Sequence, residues 1–267
     1  MSLSRAVPPS PAPSSGAPSP PASASRTGRL RPGTRFEDLY DLDPFSPPPR
    51  FESFDSSFAV QEYIAALVHR DPHDVDLIAT IPVATDEQED GDGDGDEPVQ
   101  LVEENVWLYE HLRRITLDQH PWIAALSSHC TRLSCPEMRA EDWLYICAAH
   151  TTPPRAGCCA IDYCSHVSDG ASALLTSPRY FPSRISIGGA ASRGLLQAVA
   201  RRLYRSFAHA FFHHHDVFAE LESETSLLRR FMALNDRFGL MDDDMLVIPN
   251  LVSCADEVRV VADASED

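Results

Sequence analysis

Residues 192–215 read SRGLLQAVARRLYRSFAHAFFHHH and carry the clearest structural signal in the chain. Apolar residues recur at every fourth position, at Leu195, Val199, Leu203 and Phe207. This spacing places them on one face of an α-helix, and Ser192 is a suitable N-cap. Four histidines stand near the end of the stretch, at His209, His213, His214 and His215. The stretch therefore predicts a long amphipathic helix whose end carries imidazole groups.

Three other segments show helical periodicity, namely residues 57–72, 101–116 and 225–239. The first has Ser56 or Ser57 available as a cap, and the last ends at Gly239, a residue suited to the left-handed position that terminates helices. Residues 130–166 are irregular and rich in cysteine and proline, so we expect loops there and at most a short hairpin around residues 143–149. The predicted fold class is mainly α.

Composition sets limits on function. The chain has 267 residues, 43% of them hydrophobic, which is enough for one core. A formal net charge of -18 disfavours nucleic acid as a partner, because the phosphate backbone would repel it. The chain contains no apolar run long enough to cross a membrane, which excludes membrane insertion. We expect a cytoplasmic protein, either free or peripheral on endomembranes.

Shifts in composition predict the domain organisation. Residues 1–32 are rich in proline and serine and predict a disordered tail, and residues 253–267 predict a disordered acidic tail. The domain is expected over residues 33–252, interrupted by an acidic insertion loop at residues 84–98. This loop resembles the start of a calcium-binding EF-hand loop, but Leu101 stands where a bidentate glutamate is required, so calcium is excluded.

Two cysteines predict a metal site together with the histidines. Cys130 and Cys135 have four residues between them, a spacing that lets one loop wrap a zinc ion. Helix geometry favours His209 and His213 as the remaining ligands, because residues four apart share a face and residues five apart diverge by about 140°. The alternative is that the histidines are exposed helix residues without a ligand role.

Six segments resemble one known family. They are RPGTRFEDLYDLD (31–43), DSSFAVQEYIAALV (55–68), HCTRLSCPEM (129–138), WLYICAAHTTP (143–153), CAIDYCSHVSDGASALLTSPRYFPSRISI (159–187) and RRLYRSFAHAFFHHHDVFAELESET (201–225). In this order they resemble the Mob family, specifically its phocein branch, from about Arg31 to Pro249.

The resemblance implies a fold and a metal site. Mob domains are mostly helical and are built on a four-helix bundle with one structural zinc, held by a Cys pair and a His-x4-His pair. That pattern falls on Cys130, Cys135, His209 and His214, with His213 kept as the fallback. A second zinc set drawn from Cys158, Cys159, Cys164 and His166 is possible by composition, but ordinary loop cysteines are the preferred interpretation, since related proteins lack some of these thiols.

Four protein ligands close a zinc shell, so the expected metal is structural and the expected protein is not an enzyme. A zinc hydrolase using Glu137, Asp142, Asp162 or His166 would need a recognised motif around an open site, and none occurs. No catalytic residues are predicted.

The resemblance further implies an adaptor. The phocein branch belongs to the striatin-interacting phosphatase and kinase complex, where its partners are striatin, protein phosphatase 2A and Hippo-type kinases. Other Mob proteins bind phosphopeptides through basic residues at positions that match Arg201, Arg202 and Arg205, and arginine suits phosphate because its planar fork pairs two oxygens. The alternative for these arginines is an exposed basic helix face, and the alternative function is co-activation of NDR-family kinases.

Overall fold

The structure, a computed structural model, describes residues 47–84, 99–150 and 157–249. Most of the predicted insertion loop, both predicted tails and the motif at residues 31–43 lie outside the described residues. The described chain contains seven α-helices and one two-stranded hairpin: α1 (Ala59–Arg70), α2 (Val75–Ala79), α3 (Glu104–Leu126), β1 (Arg139–Ala140), β2 (Trp143–Leu144), α4 (Ala160–Leu175), α5 (Ala190–His213), α6 (His215–Thr225) and α7 (Leu227–Phe238). Short 3-10 turns occupy Phe51–Ser53 and Asp243–Met245.

Helix α3 is the centre of the fold. It packs against α1, α4, α5 and α7, and α4 also packs against α5. Aromatic side chains fill the spaces between the helices: Trp122 of α3 meets Phe207 of α5 edge to face at 5.4 Å, and Phe231 of α7 lies 5.8 Å from the same Phe207 ring. The mainly helical class predicted from the sequence is confirmed.

A buried carboxylate ties α3 to its surroundings. Glu110 is buried and forms ion pairs with Arg113, at 3.1 Å, and with Arg184. Arg184 also donates to the Gln61 side chain of α1 at 2.7 Å. A buried carboxylate needs such partners, since charge without compensation is costly in a core.

Helix α5 follows the predicted pattern, with differences at its first turn. Val199, Leu203 and Phe207 are buried as expected, while Leu196 is buried more deeply than the predicted Leu195. The predicted cap at Ser192 is wrong, because the helix begins at Ala190 with Gly189 as N-cap. Gly189 has φ of 88°, which glycine adopts without steric cost.

Of the other two predictions of helix ends, one is confirmed and one is wrong. Gly239 ends α7 with φ of 59°, as predicted. The expected serine cap of α1 is wrong, because Phe58 is the N-cap and makes no side-chain cap bond; the Ser56 hydroxyl instead accepts a hydrogen bond from the Phe58 amide at 3.0 Å.

The cysteine-rich stretch is more regular than its sequence predicts. Residues 160–166 were expected to be irregular, but they form the first turns of α4. The buried face of α4 consists of Ala160, Tyr163, Cys164, Val167, Ser168, Ala171 and Leu175. These residues recur at helical spacing, but the cysteines and prolines around them favoured a loop prediction. The hairpin also exists, centred slightly earlier than residues 143–149.

A short helix and a backbone bridge lie next to the predicted insertion loop. The short helix α2, which the sequence analysis did not predict, precedes it and is capped by Asp74, whose side chain accepts from the Leu77 amide at 3.3 Å. Val83 and Gln100 then form an antiparallel bridge, with the Ala84 amide donating to the Val99 carbonyl at 2.9 Å. The two ends of the insertion are therefore hydrogen-bonded to each other.

Candidate functional site

The first cysteine pair lies in a tight turn after α3. The Cys130 amide donates to the Leu126 carbonyl at 2.7 Å, and the Cys135 amide donates to the Thr131 carbonyl at 2.8 Å. Within the turn the Ser134 hydroxyl accepts from the Thr131 amide at 2.8 Å. These backbone bonds fix the loop so that both thiols point toward α5.

The histidines reach this loop from the end of α5. His209 is buried on the helix, whereas His214 stands just beyond it, with φ of -142° and ψ of 49°. The backbone therefore leaves the helical conformation at His214, and the five-residue spacing no longer separates the two side chains by the angle that a continuous helix would impose. His213 stacks on His209 with ring centroids 4.8 Å apart, but it is exposed.

The structure thus brings together Cys130, Cys135, His209 and His214, which we call the first cluster. Their ligand atoms all lie within 4.8 Å of one another. The distance from Cys130 Sγ to His209 Nε2 is 3.4 Å, and that from Cys135 Sγ to His214 Nε2 is 3.3 Å. In tetrahedral zinc with Zn–S of about 2.3 Å and Zn–N of about 2.0 Å, sulfur and nitrogen are about 3.5 Å apart. The first cluster fits a tetrahedral zinc ion.

The surroundings also suit a metal ligand. His209 turns Nε2 toward the thiols, and its Nδ1 lies 2.7 Å from the Arg139 carbonyl. A hydrogen bond donated by Nδ1–H to this carbonyl fixes the tautomer in which Nε2 is free to bind a metal. This arrangement is usual around metal-binding histidines.

Burial controls the protonation of the ligands. It lowers the pKa of His209 to about 4, so the imidazole is neutral at pH 7, which is the ligating form. Burial, together with the neighbouring Cys135, raises the pKa of Cys130. Metal binding at the first cluster would therefore release a proton from this thiol.

A second cluster is built from residues that follow the hairpin in the chain. It consists of Cys147, His150, Cys158 and His166, whose ligand atoms also lie within 4.8 Å of one another. The sequence analysis named Cys158 and His166 in its second set, but the structure puts Cys159 and Cys164 in the core instead, at 2% and 1% exposure. Cys147 and His150 were missed as ligands, although the CxxH spacing of CAAH at residues 147–150 is itself a zinc-ligand signal. A single zinc was predicted, whereas the described residues contain two clusters that can hold a metal.

The three predicted phosphate-binding arginines do not share one environment. Arg202 and Arg205 line a cavity of about 110 Å³, whose other walls include Cys147, Tyr163 and His166; we call it the arginine cavity. Arg201 is half-buried on the same helix and is not among the residues lining this cavity.

Two tyrosines hold Arg205 in place. Its guanidinium donates to the Tyr163 hydroxyl at 2.9 Å and lies over the Tyr145 ring, 4.9 Å from the centroid. A cation held against an aromatic face is restrained without being neutralised. Arg205 therefore keeps its positive charge available to the cavity.

Comparison with known proteins identifies the class. The model of the Mob1/phocein family matches residues 97–249, and the chain belongs to this family. It is 41% identical over 222 residues to MOB kinase activator-like 4 from Drosophila melanogaster, covering 83% of this chain and 89% of the relative. It is 38% identical over 232 residues to MOB-like protein phocein from Caenorhabditis elegans, covering 86% and 93%. Maintenance of ploidy protein mob1 from Schizosaccharomyces pombe is 30% identical over 126 residues, covering 44% and 59%.

Family membership supports an adaptor or regulatory role, as is known for the non-catalytic Mob/phocein family. Across the three described ranges, no helix combines the length and the apolar character that crossing a bilayer requires.

Proposed function

We propose that the chain is a non-catalytic adaptor subunit of a striatin-type phosphatase and kinase assembly. Similarity to a protein named phocein over 86% of this chain is the observation that carries the proposal. The expected partners are a striatin-like scaffold, subunits of protein phosphatase 2A and phosphorylated Hippo-type kinases. We expect the protein to act in the cytoplasm, either free or bound peripherally to endomembranes.

In this proposal the first cluster holds a structural zinc ion. Cys130, Cys135, His209 and His214 would supply all four ligands, which leaves no coordination position for a reacting water. The metal would link the turn after α3 to the junction of α5 and α6. Its role is to fix the end of α5, the helix that also carries the arginines.

The proposed recognition element is the arginine cavity. A phosphorylated threonine carries nearly two negative charges and three acceptor oxygens, which match guanidinium groups on a shared wall. Arg202 and Arg205 stand three residues apart on α5 and so project from neighbouring positions of one face. The local positive charge is notable in a chain with net charge -18. The arginine cavity is therefore our candidate for the phosphate, with Arg201 as a flanking charge.

Substitution of the two cavity arginines tests this site. The double variant Arg202→Ala, Arg205→Ala should bind a phosphothreonine peptide from a Hippo-type kinase about 100-fold more weakly, a loss of about 3 kcal/mol, since two charge-assisted contacts are removed. Isothermal titration against phosphorylated and unphosphorylated peptide measures the effect.

The control for this experiment is Arg179→Ala. Arg179 is exposed and lies beyond the C-terminal end of α4, whereas Tyr163, which holds Arg205, lies near its start. This variant should bind the phosphopeptide as the parent does. If the double variant also binds like the parent, the phosphate-reader proposal is wrong.

Affinity purification separates the adaptor from its alternative, co-activation of NDR-family kinases. The alternative is kept because one relative is named MOB kinase activator-like 4. Recovery of striatin and phosphatase subunits with the tagged full chain is the expected result. Recovery of NDR-type kinases without them would contradict the adaptor proposal and favour the co-activator.

A further inference from the structure

The second cluster draws its ligands from two separate segments of the chain. Cys147 and His150 come from the turn that follows β2, and Cys158 and His166 come from the beginning of α4. Cys158 precedes the helix, and His166 lies on its second turn. The cluster therefore lies where an irregular segment meets a helix, and it is built from elements other than those of the first cluster.

The distances within the cluster match those of a tetrahedral metal site. His150 Nε2 lies 3.0 Å from Cys158 Sγ, and His166 Nδ1 lies 3.7 Å from the same sulfur and 3.6 Å from Cys147 Sγ. These values bracket the sulfur–nitrogen separation of about 3.5 Å expected around zinc. The two imidazole rings meet edge to face, with centroids 5.0 Å apart and planes at 83°, so nitrogens of both rings can approach one point.

Packing does not account for the cluster. Cysteines that serve as small apolar residues lie in the core, as Cys159 and Cys164 do at 2% and 1% exposure. Cys147 is also buried and Cys158 packs against the core, but Cys158 and His166 are only half-buried, and His150 Nε2 and His166 Nδ1 both lie at ligand distance from the Cys158 sulfur. Two cysteines and two histidines that converge at ligand distances at the edge of the core are typical of a metal site.

We propose that Cys147, His150, Cys158 and His166 bind a second structural zinc ion. Two thiolates and two neutral imidazoles are a preferred ligand set for zinc, and two thiolate charges balance those of the ion. With four protein ligands the shell is closed, so the metal cross-links the turn after β2 to α4.

The site has a consequence for its surroundings. Cys147 and His166 also line the arginine cavity, together with Arg202 and Arg205. The metal would therefore fix part of the lining of this cavity. The second zinc does not depend on the proposed adaptor function, because its evidence consists of the ligand geometry alone.

Zinc stoichiometry of the full chain, purified without chelators, tests the proposal. Mass spectrometry of the metal should give two zinc ions per chain in the parent and one in Cys158→Ser. The matched control is Cys159→Ser, which alters the neighbouring thiol, a core residue outside the cluster, and should keep two. Cys130→Ser should lose the other ion, so the failure of one site is distinguishable from the failure of the other. If the parent holds only one zinc ion and Cys158→Ser keeps that ion, the proposal is wrong.

Thiol alkylation of the folded parent gives an answer even if Cys158→Ser does not fold. Cys158 is half-buried, and because burial raises the pKa of its thiol to about 11, labelling with iodoacetamide is carried out at mildly alkaline pH. As a zinc ligand it should be protected at least tenfold relative to the same thiol in His166→Ala, a variant that breaks the second cluster and keeps all four ligands of the first. Equal labelling of Cys158 in the parent and in His166→Ala would overturn the second zinc.

Discussion

His213 and His214 are adjacent in the sequence, yet only His214 faces the thiols of the first cluster. A regular helix would bring His213, four residues after His209, to the same face. Instead α5 ends at His213, and the torsion angles of His214 turn its ring toward Cys135, with Nε2 3.3 Å from Sγ. The ligand choice thus depends on where a helix stops.

Alanine at each of these two histidines tests the choice. His214→Ala should lose one zinc per chain and destabilise the fold on the order of 3 kcal/mol, since it removes one of four ligands in a site worth about 10 kcal/mol. His213→Ala is the matched control and should keep both its zinc content and its unfolding midpoint. Equal zinc loss from both variants would show that His213 can ligate.

The junction between α6 and α7 shows how one helix stabilises the next. Ser226, the N-cap of α7, makes no side-chain cap bond. The buried Glu222 of α6 takes over this task, because its carboxylate accepts from the amides of Leu228 at 2.8 Å and Arg229 at 3.0 Å. Burial raises the pKa of Glu222, and the two amide donors oppose this effect. Helices α6 and α7 are therefore coupled through one carboxylate.

Removal of this carboxylate should be costly. Glu222→Ala leaves two amides at the start of α7 without their acceptor and should lower the free energy of unfolding by about 2 kcal/mol. Glu224→Ala, which changes an exposed glutamate of the same helix, is the control and should stay within about 0.5 kcal/mol of the parent. Denaturant unfolding compares them, and similar midpoints for the two variants would refute the capping role.

The acidic insertion is bounded by paired backbone. The Leu101 amide donates to the Pro82 carbonyl at 2.9 Å, and Val83 pairs with Gln100, so the two ends of the insertion are already adjacent. Residues 86–98 hold eight acidic side chains and few apolar ones. The rest of the domain should fold without the insertion.

Deletion variants test this expectation. Replacement of residues 86–97 by a short Gly/Ser linker, or removal of residues 1–30, should change the melting temperature by less than about 2 °C, because neither segment has much apolar surface to bury. Differential scanning fluorimetry, with the intact chain as reference, measures the change in melting temperature. A drop of many degrees in either variant would mean that the deleted segment packs on the core.

Much of the fold could be predicted from local sequence. The stripe from Val199 to Phe207 predicts α5 because aliphatic residues at helical spacing have few other ways to be buried together. Gly239 predicts the end of α7 because glycine tolerates a left-handed backbone. Helix α4 was missed although its buried residues recur at helical spacing, because the neighbouring cysteines and prolines favoured a loop prediction.

The ligands of the candidate metal sites likewise differ in whether local sequence could identify them. Cys130 and Cys135 could be recognised from their spacing, because both ligands belong to one local loop. His214 was indicated by family resemblance and not by helix geometry, since its position depends on torsion angles at the end of α5. The grouping of Cys147 and His150 with Cys158 and His166, to the exclusion of Cys159 and Cys164, required the tertiary structure. Only the packing of α4 determines which thiols face the core and which face the turn after β2, and no local spacing contains that information.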